Sequence, residues 1–373
     1  MLAEADLARF AGQFVWLELN FDNEANGAFL AQYGSYATPT FYIIDSQDGR
    51  VAASQTGAMS LVELKQFLDR GLRSVSAKKR TLADDALVRG DTVLAKRPEE
   101  AVTDYKEALK LAHSGWPQRE VAQASLVTAL QSSGHYQECA ETAASEAREM
   151  TRGPSFARTI VAGMWCLQMG DSALWTNVMA TNLEPLANEA LSLQSTVRDH
   201  RNELYRTLMY LALSRGDKQK AAMLGDRWLA ELDRIRPRSD EERMAVDIAR
   251  VEDVQVFGDP KRILPALHAS ERELPTNWNA SLRVAQMEIG ASNFAEAIAA
   301  TDRGLARKPG PAGKSWLLRV KAEALVESGK KTEARRALDD ALVAAQGIPN
   351  ERSRENNIRT LERAIKALSD NGK

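Results

Sequence analysis

Two cysteines and four histidines are the side chains of this sequence best suited to nucleophilic or metal chemistry, and their spacing argues against both. His113, His135, His200 and His268 are scattered, with no second histidine one helical turn away and no metal spacing to a cysteine. A zinc site needs about four nitrogen or sulfur ligands, so none is expected. Each histidine reads as structural or surface. Cys139 stands beside Ala140 and Ala143, where a helix buries small residues, and Cys166 lies in Met164-Trp165-Cys166-Leu167. Neighbouring helices can bring the two thiols together, which keeps a disulfide open. Two separate buried free thiols are the expectation, because unreactive cysteine is a common core residue.

The carboxylates offer no better chemistry. Asp84-Asp85, Glu241-Glu242 and Asp339-Asp340 are adjacent pairs, and adjacent residues on a helix point in different directions. They fail as an acid and base focused on one substrate. Glu241-Glu242 fits first-turn charge behind Ser239 as a helix cap. The sequence has no glycine-rich phosphate loop and no Gly-x-Ser-x-Gly elbow, and no cofactor is expected. Trp165, Trp175, Trp228, Trp278 and Trp316 come one to a helix and read as wedges between helices rather than peptide anchors. Arg198, Arg201 and Arg206 suit a groove for an acidic peptide tail, with a solvated helix face as the favoured reading.

The elements carrying these residues are mostly helical. From Leu82 onward Ala, Leu, Glu, Arg and Lys dominate at helical spacing. Turns at Ser133-Gly134, Gly170-Asp171, Arg215-Gly-Asp217, Gly258-Asp-Pro260 and Ser328-Gly329 divide the segments into pairs. The pairs run over 82–114, 117–150, 154–187, 198–234, 239–272, 276–308 and 311–346, with a charged capping helix from Ser353 to Leu368. Small residues mark helix crossings in Ala285…Ala297…Gly304…Pro309 and Ala322…Ala334…Ala341, and Glu100 to Ala108 sets Tyr105 between two alanines. With a repeat of roughly 35–40 residues, these units resemble tetratricopeptide repeats. The stretch between Pro154 and Pro275 departs from that pattern, with Met209 and Trp228 where small residues are expected. The resemblance implies a solenoid that holds a protein or peptide partner in its concave face.

Residues 14–72 read differently. Phe14–Phe21 is patterned as a strand, Asn26–Tyr33 as a short helix and Phe41–Asp45 as a second strand. Asp48-Gly49 signals a hairpin into a third strand, Val51–Thr56, and Ser60 with Glu63 opens a helix as a capping box. This order, with Thr38-Pro39-Thr40 before the second strand and Gly57 after the third, resembles the C-terminal half of the thioredoxin family. The resemblance implies a cis bond at Pro39, and Thr38 and Pro39 lining a peptide groove. The family's Cys-x-x-Cys and its central strand are absent, and Leu2–Ala11 looks like the tail of the helix that would carry the pair. Met1 is then not the natural start, the rival being a genuine degenerate domain.

The expected fold class is an α+β N-terminal partial thioredoxin-like domain over 1–72 and an all-α TPR-type helical solenoid over 82–370. A basic linker, 73–81, joins them; its Lys78-Lys79-Arg80 reads as solvated, and its shortness favours docking over free tumbling. A net charge of −2 gives no pull toward nucleic acid or acidic membranes, and no apolar run is long enough to span a bilayer. The expected function is a protein-interaction scaffold, with no metal, nucleic acid or membrane partner. The alternative is a thiol–disulfide oxidoreductase whose Cys-x-x-Cys lies upstream of Met1; a third reading is a folded pair with no separable activity. The compartment stays open: exported if a leader precedes Met1, cytoplasmic otherwise.

Overall fold

The computed structural model describes residues 5–19, 23–34, 38–75, 80–170 and 173–370. It divides into two compact units, Met1–Leu19 with Asn26–Lys218, and Asn20–Ala25 with Gln219–Lys373.

The first unit opens with a 3₁₀ turn, Ala5–Phe10, followed by α1 (Gly27–Tyr33), β1 (Thr40–Ile44), β2 (Val51–Thr56) and α2 (Leu61–Val75). The strands pair antiparallel, Thr40 opposite Thr56 through Ile43 opposite Ala53, with an irregularity before Ile44 meets Val51. Their turn forms as its residues dictate. Gly49 takes φ +72, its N–H reaches the Asp45 carbonyl at 2.9 Å, and Asp48 accepts from the Arg50 N–H. The Ser60–Glu63 capping box is present in both directions, at 3.2 and 2.8 Å, and starts α2. Leu64, Phe67 and Leu68 of α2 then close a core with Leu7, Phe10, Ile43, Ala52, Ala53 and Met59. At Gly71 a Cβ would sit 2.3 Å from Ile43, so only glycine lets α2 lie this close to β1.

Four expectations fail here. No strand forms over 14–19; Val15 and Leu17 are 89% and 74% exposed, and residues 20–22 lie outside the described residues. A strand needs a neighbour's backbone to pair with, and among the described residues β1 and β2 make a sheet of two with no third strand. Of the expected helix tail over Leu2–Ala11, Ala5–Phe10 is a 3₁₀ turn rather than α-helix, and residues 2–4 lie outside the described residues. The linker also starts later than expected, because α2 runs on to Val75. Lys78 and Lys79 fall outside the described residues. Arg80 is not simply solvated: it reaches the Ser74 carbonyl and the Asp85 carboxylate.

Helices follow in antiparallel pairs. In the first unit these are α3 (Leu82–Val93) with α4 (Pro98–Leu111), α5 (Arg119–Ser132) with α6 (Tyr136–Glu149) and α7 (Pro154–Gln168) with α8 (Ala173–Ser192), then α9 (Arg198–Ser214). α10 (Lys218–Leu232) begins at the division between the units. The second unit continues with α11 (Asp240–Phe257), α12 (Leu264–Glu273), α13 (Trp278–Gly290), α14 (Phe294–Ala306), α15 (Pro311–Glu327), α16 (Lys331–Gln346) and α17 (Glu351–Asp370). Small residues set the crossings: a Cβ on Gly304 would meet Leu317, and one on Gly90 would meet the Tyr105 ring. Alternate helices also touch, α5 with α7, α7 with α9 and α13 with α15, as stacked pairs require. α17 lays Leu361, with Ile358 and Ile365, on the Ala337–Leu338–Ala341 side of α16. No described helix is long and apolar enough to cross a membrane.

Candidate functional site

Thr38 and Pro39 are exposed at the entrance to β1, joined by a cis peptide bond, and the Pro39 carbonyl accepts from Gly57 N–H at 2.9 Å. Ala37, before them, lies outside the described residues.

A buried polar cluster joins β2 and α2 to the first helices, and its centre is Asp91 on α3. One Asp91 oxygen accepts from Arg70 Nη1 at 3.0 Å and from Ser54 N–H at 3.1 Å; the other accepts from Tyr105 OH at 2.9 Å. Arg70 Nη2 also donates to the Ser54 carbonyl, and Ser54 Oγ donates to the Asp91 carbonyl, both at 2.9 Å. Burial pushes the Asp91 carboxyl up, against the lowering pull of Arg70, Ser54 and Tyr105. Beside this satisfied group stands a looser one. Arg158 of α7 lies 3.8 Å from Glu63 Oε1, both side chains buried, and that oxygen has no hydrogen-bond partner. Burial, outweighing the raising pull of Glu63, holds the Arg158 guanidinium below its usual range. His200 of α9 is buried too; desolvation, then the charge of Arg158, lowers its pKa to about 4. Unpaired buried charge is costly, so this cluster fixes α2 against α3 and leaves slack toward α7. Sequence reading missed it. The visible signal was Asp91 inside the apolar stripe Ala83–Leu87–Gly90–Leu94 of α3.

The remaining sequence candidates separate. Cys139 and Cys166 are not free thiols but a disulfide between α6 and α7, both fully buried. Their helices approach closely because a Cβ on Gly163 would overlap Ala143, and this brings the two Cα atoms to 6.1 Å. His113 and His135 are exposed. His268 Nε2 meets Glu288 Oε1 at 2.8 Å, beside Glu271. Burial would raise Glu271, but hydrogen bonds from Arg303 and Ser281 and the charges of Arg303 and Arg307 outweigh it and hold its carboxyl low. Asp84 completes a capping box with Thr81 and accepts from Trp116 Nε1; at α11 the Glu242 N–H donates to Ser239 Oγ, while its carboxylate accepts from the Arg238 N–H. Arg201 of α9 reaches the Leu191 carbonyl at the end of α8, and Arg206 pairs with Glu203 on its own helix. Arg198 lies 3.8 Å from Asp199.

Of the tryptophans, Trp228 is buried, Trp165 packs on Tyr136 and Trp278 lies against Gly313. The Trp175 side chain lies outside the described ones. Trp316 departs from the expected wedge role and is 48% exposed. It heads a stripe on α15, Trp316, Arg319, Glu323 and Val326, beside the row Leu318, Ala322 and Leu325 that packs on α16. α13 lies alongside, with Asn279, Gln286 and Ile289 half-buried.

No protein-family model matches this chain, and no curated protein matches it in sequence. Among solved structures it is similar to a tetratricopeptide repeat protein from Parabacteroides merdae ATCC 43184, with 12% identity over 75% of this chain and 98% of that one, at a TM-score of 0.43. It is similar to the TPR2AB-domain:pHSP90-complex of yeast Sti1, with 13% identity over 75% and 98%, at 0.28. It is similar also to the APC/C hetero-tetramer Cut9-Hcn1, with 11% identity over 82% and 54%, at 0.30. The helix-pair assignment therefore rests on the packing described above.

Proposed function

We propose that this chain is a protein-interaction scaffold of tetratricopeptide type, holding a protein or peptide partner on the face built by α13 and α15. The observation that carries this reading is the half-exposed Trp316 in line with Arg319, Glu323 and Val326. An aromatic anchor flanked by charge and aliphatic side chains is what a peptide-binding helix face offers. In the first unit, by contrast, α7 is buried nearly all round, from Phe156 through Ile160 and Met164 to Leu167, and its Arg158 faces Glu63 of α2. That face is already used internally. We assign the stretch up to Val75, where α2 ends, as a partial thioredoxin-like domain and 82–370 as the repeat array, in place of the expected boundary at 72 and linker over 73–81. Thr38 and Pro39 are assigned to the peptide-facing edge of that first domain. In this chain the domain serves as structure, since both sulfurs sit buried in a disulfide where no thiolate can form.

Two measurements test this. Replacing Trp316 and Val326 together with alanine abolishes co-purification of the partner seen with the parent chain from its source cells, while the thermal melt stays within about 1 °C. Retained co-purification overturns the site. In an insulin-reduction assay the chain adds nothing to the dithiothreitol rate, and measurable turnover overturns the scaffold reading.

A further inference from the structure

We infer that Cys139–Cys166 is a permanent covalent staple of the α6–α7 junction, and that the chain is therefore built to mature in an oxidising compartment. Three observations carry this. Both cysteines are fully buried, so no reductant reaches them in the native state. The junction is shaped for close approach: Gly163 opposes Ala143 with no room for a Cβ, and Ala140, Ala144 and Ala162 continue the small-residue seam. Both sulfurs lie on facing helices, and the Val127 and Ala162 carbonyl oxygens stand 3.7 and 3.8 Å from Cys139 Sγ, where their negative ends would disfavour a thiolate. A catalytic pair must expose a sulfur to its substrate; this pair exposes none. In reducing cytosol thiols persist, so a buried disulfide of this kind belongs to exported chains.

Its formation balances simply. The two thiols give up two protons and two electrons as the sulfur–sulfur bond forms. A small-molecule or protein disulfide accepts both and departs as two thiols. Because the bond closes a loop with a sequence separation of 27, it shifts the unfolding equilibrium by on the order of a hundredfold.

The test uses the full chain, refolded with oxidised glutathione and then denatured in iodoacetamide. Mass spectrometry is expected to find no alkylated cysteine before reduction and two after. Urea unfolding of the oxidised chain is expected to shift to lower urea on reduction. Cys139→Ala combined with Cys166→Ala should unfold where the reduced parent does and ignore reductant. Should that variant fail to fold, Cys139→Val alone, compared with reduced parent, supplies the same insensitivity to reductant. Two alkylated cysteines without reduction, or unfolding of the parent that ignores reductant, overturns the inference. So does rapid reduction of the native chain by millimolar dithiothreitol, which would mark the bond as accessible and exchanging.

Discussion

Asp91 is the residue on which the first unit turns. It binds Arg70, Ser54 and Tyr105 at once, and each partner comes from a different element. Asp91→Ala strands a buried guanidinium and should cost about 3–5 kcal/mol in urea unfolding, with Asp91→Asn costing less. Two other buried groups give opposite pH signatures. His200 is lowered in the folded chain to about 4 from 6.5, so the unfolded chain binds its proton first. Its contribution is whole above pH 6.5 and is lost as pH falls toward 4. Asp253 is raised by burial from 3.8 to about 7, so the folded chain keeps its proton longer, and stability drains as pH rises between those values. His200→Gln should flatten the acid limb of the urea midpoint, and Asp253→Asn the neutral limb. None of this was legible beforehand, because a lone histidine or aspartate on a helix does not announce which polar groups the fold will bring to it. Only the polar residue in the apolar stripe of α3 gave notice.

Elements were far more legible than sites. Helix pairs, the hairpin and the capping boxes follow from periodicity, from glycine in the turns and from hydroxyl–carboxylate spacing, all of which act within a few residues. The strand expected over Phe14–Phe21 does not form in its described part, 14–19, because strand formation is settled by a distant neighbour. Its pattern of aromatic and branched residues is a strand's, but the described residues supply no third strand. Val15→Thr with Leu17→Thr should therefore change the melting free energy by less than about 0.5 kcal/mol. Gly71→Ala should lose about 1–3 kcal/mol, since its new methyl meets Ile43. The disulfide, open in the sequence beside the expectation of two free thiols, is undecided there for a related reason. Sequence places both cysteines on buried faces, but only the Gly163–Ala143 approach makes their separation bondable.

At the scale of the whole molecule, helix pairs do two jobs. Those of the first unit bury a polar contact with the α/β segment, through Asp91 and Arg158, and those of the second leave the Trp316 stripe open. The repeat pattern foresaw the pairs but not this division, because exposure of one helix face depends on what packs beside it. The most direct test of the scaffold reading is site-specific photo-crosslinking in the source cells, with the probe placed at position 316, at 323 and, on the far side, at Arg336 of α16. One discrete protein adduct is expected, shared by 316 and 323 and missing from 336. No adduct at 316, or the same adduct from all three positions, would contradict the scaffold reading.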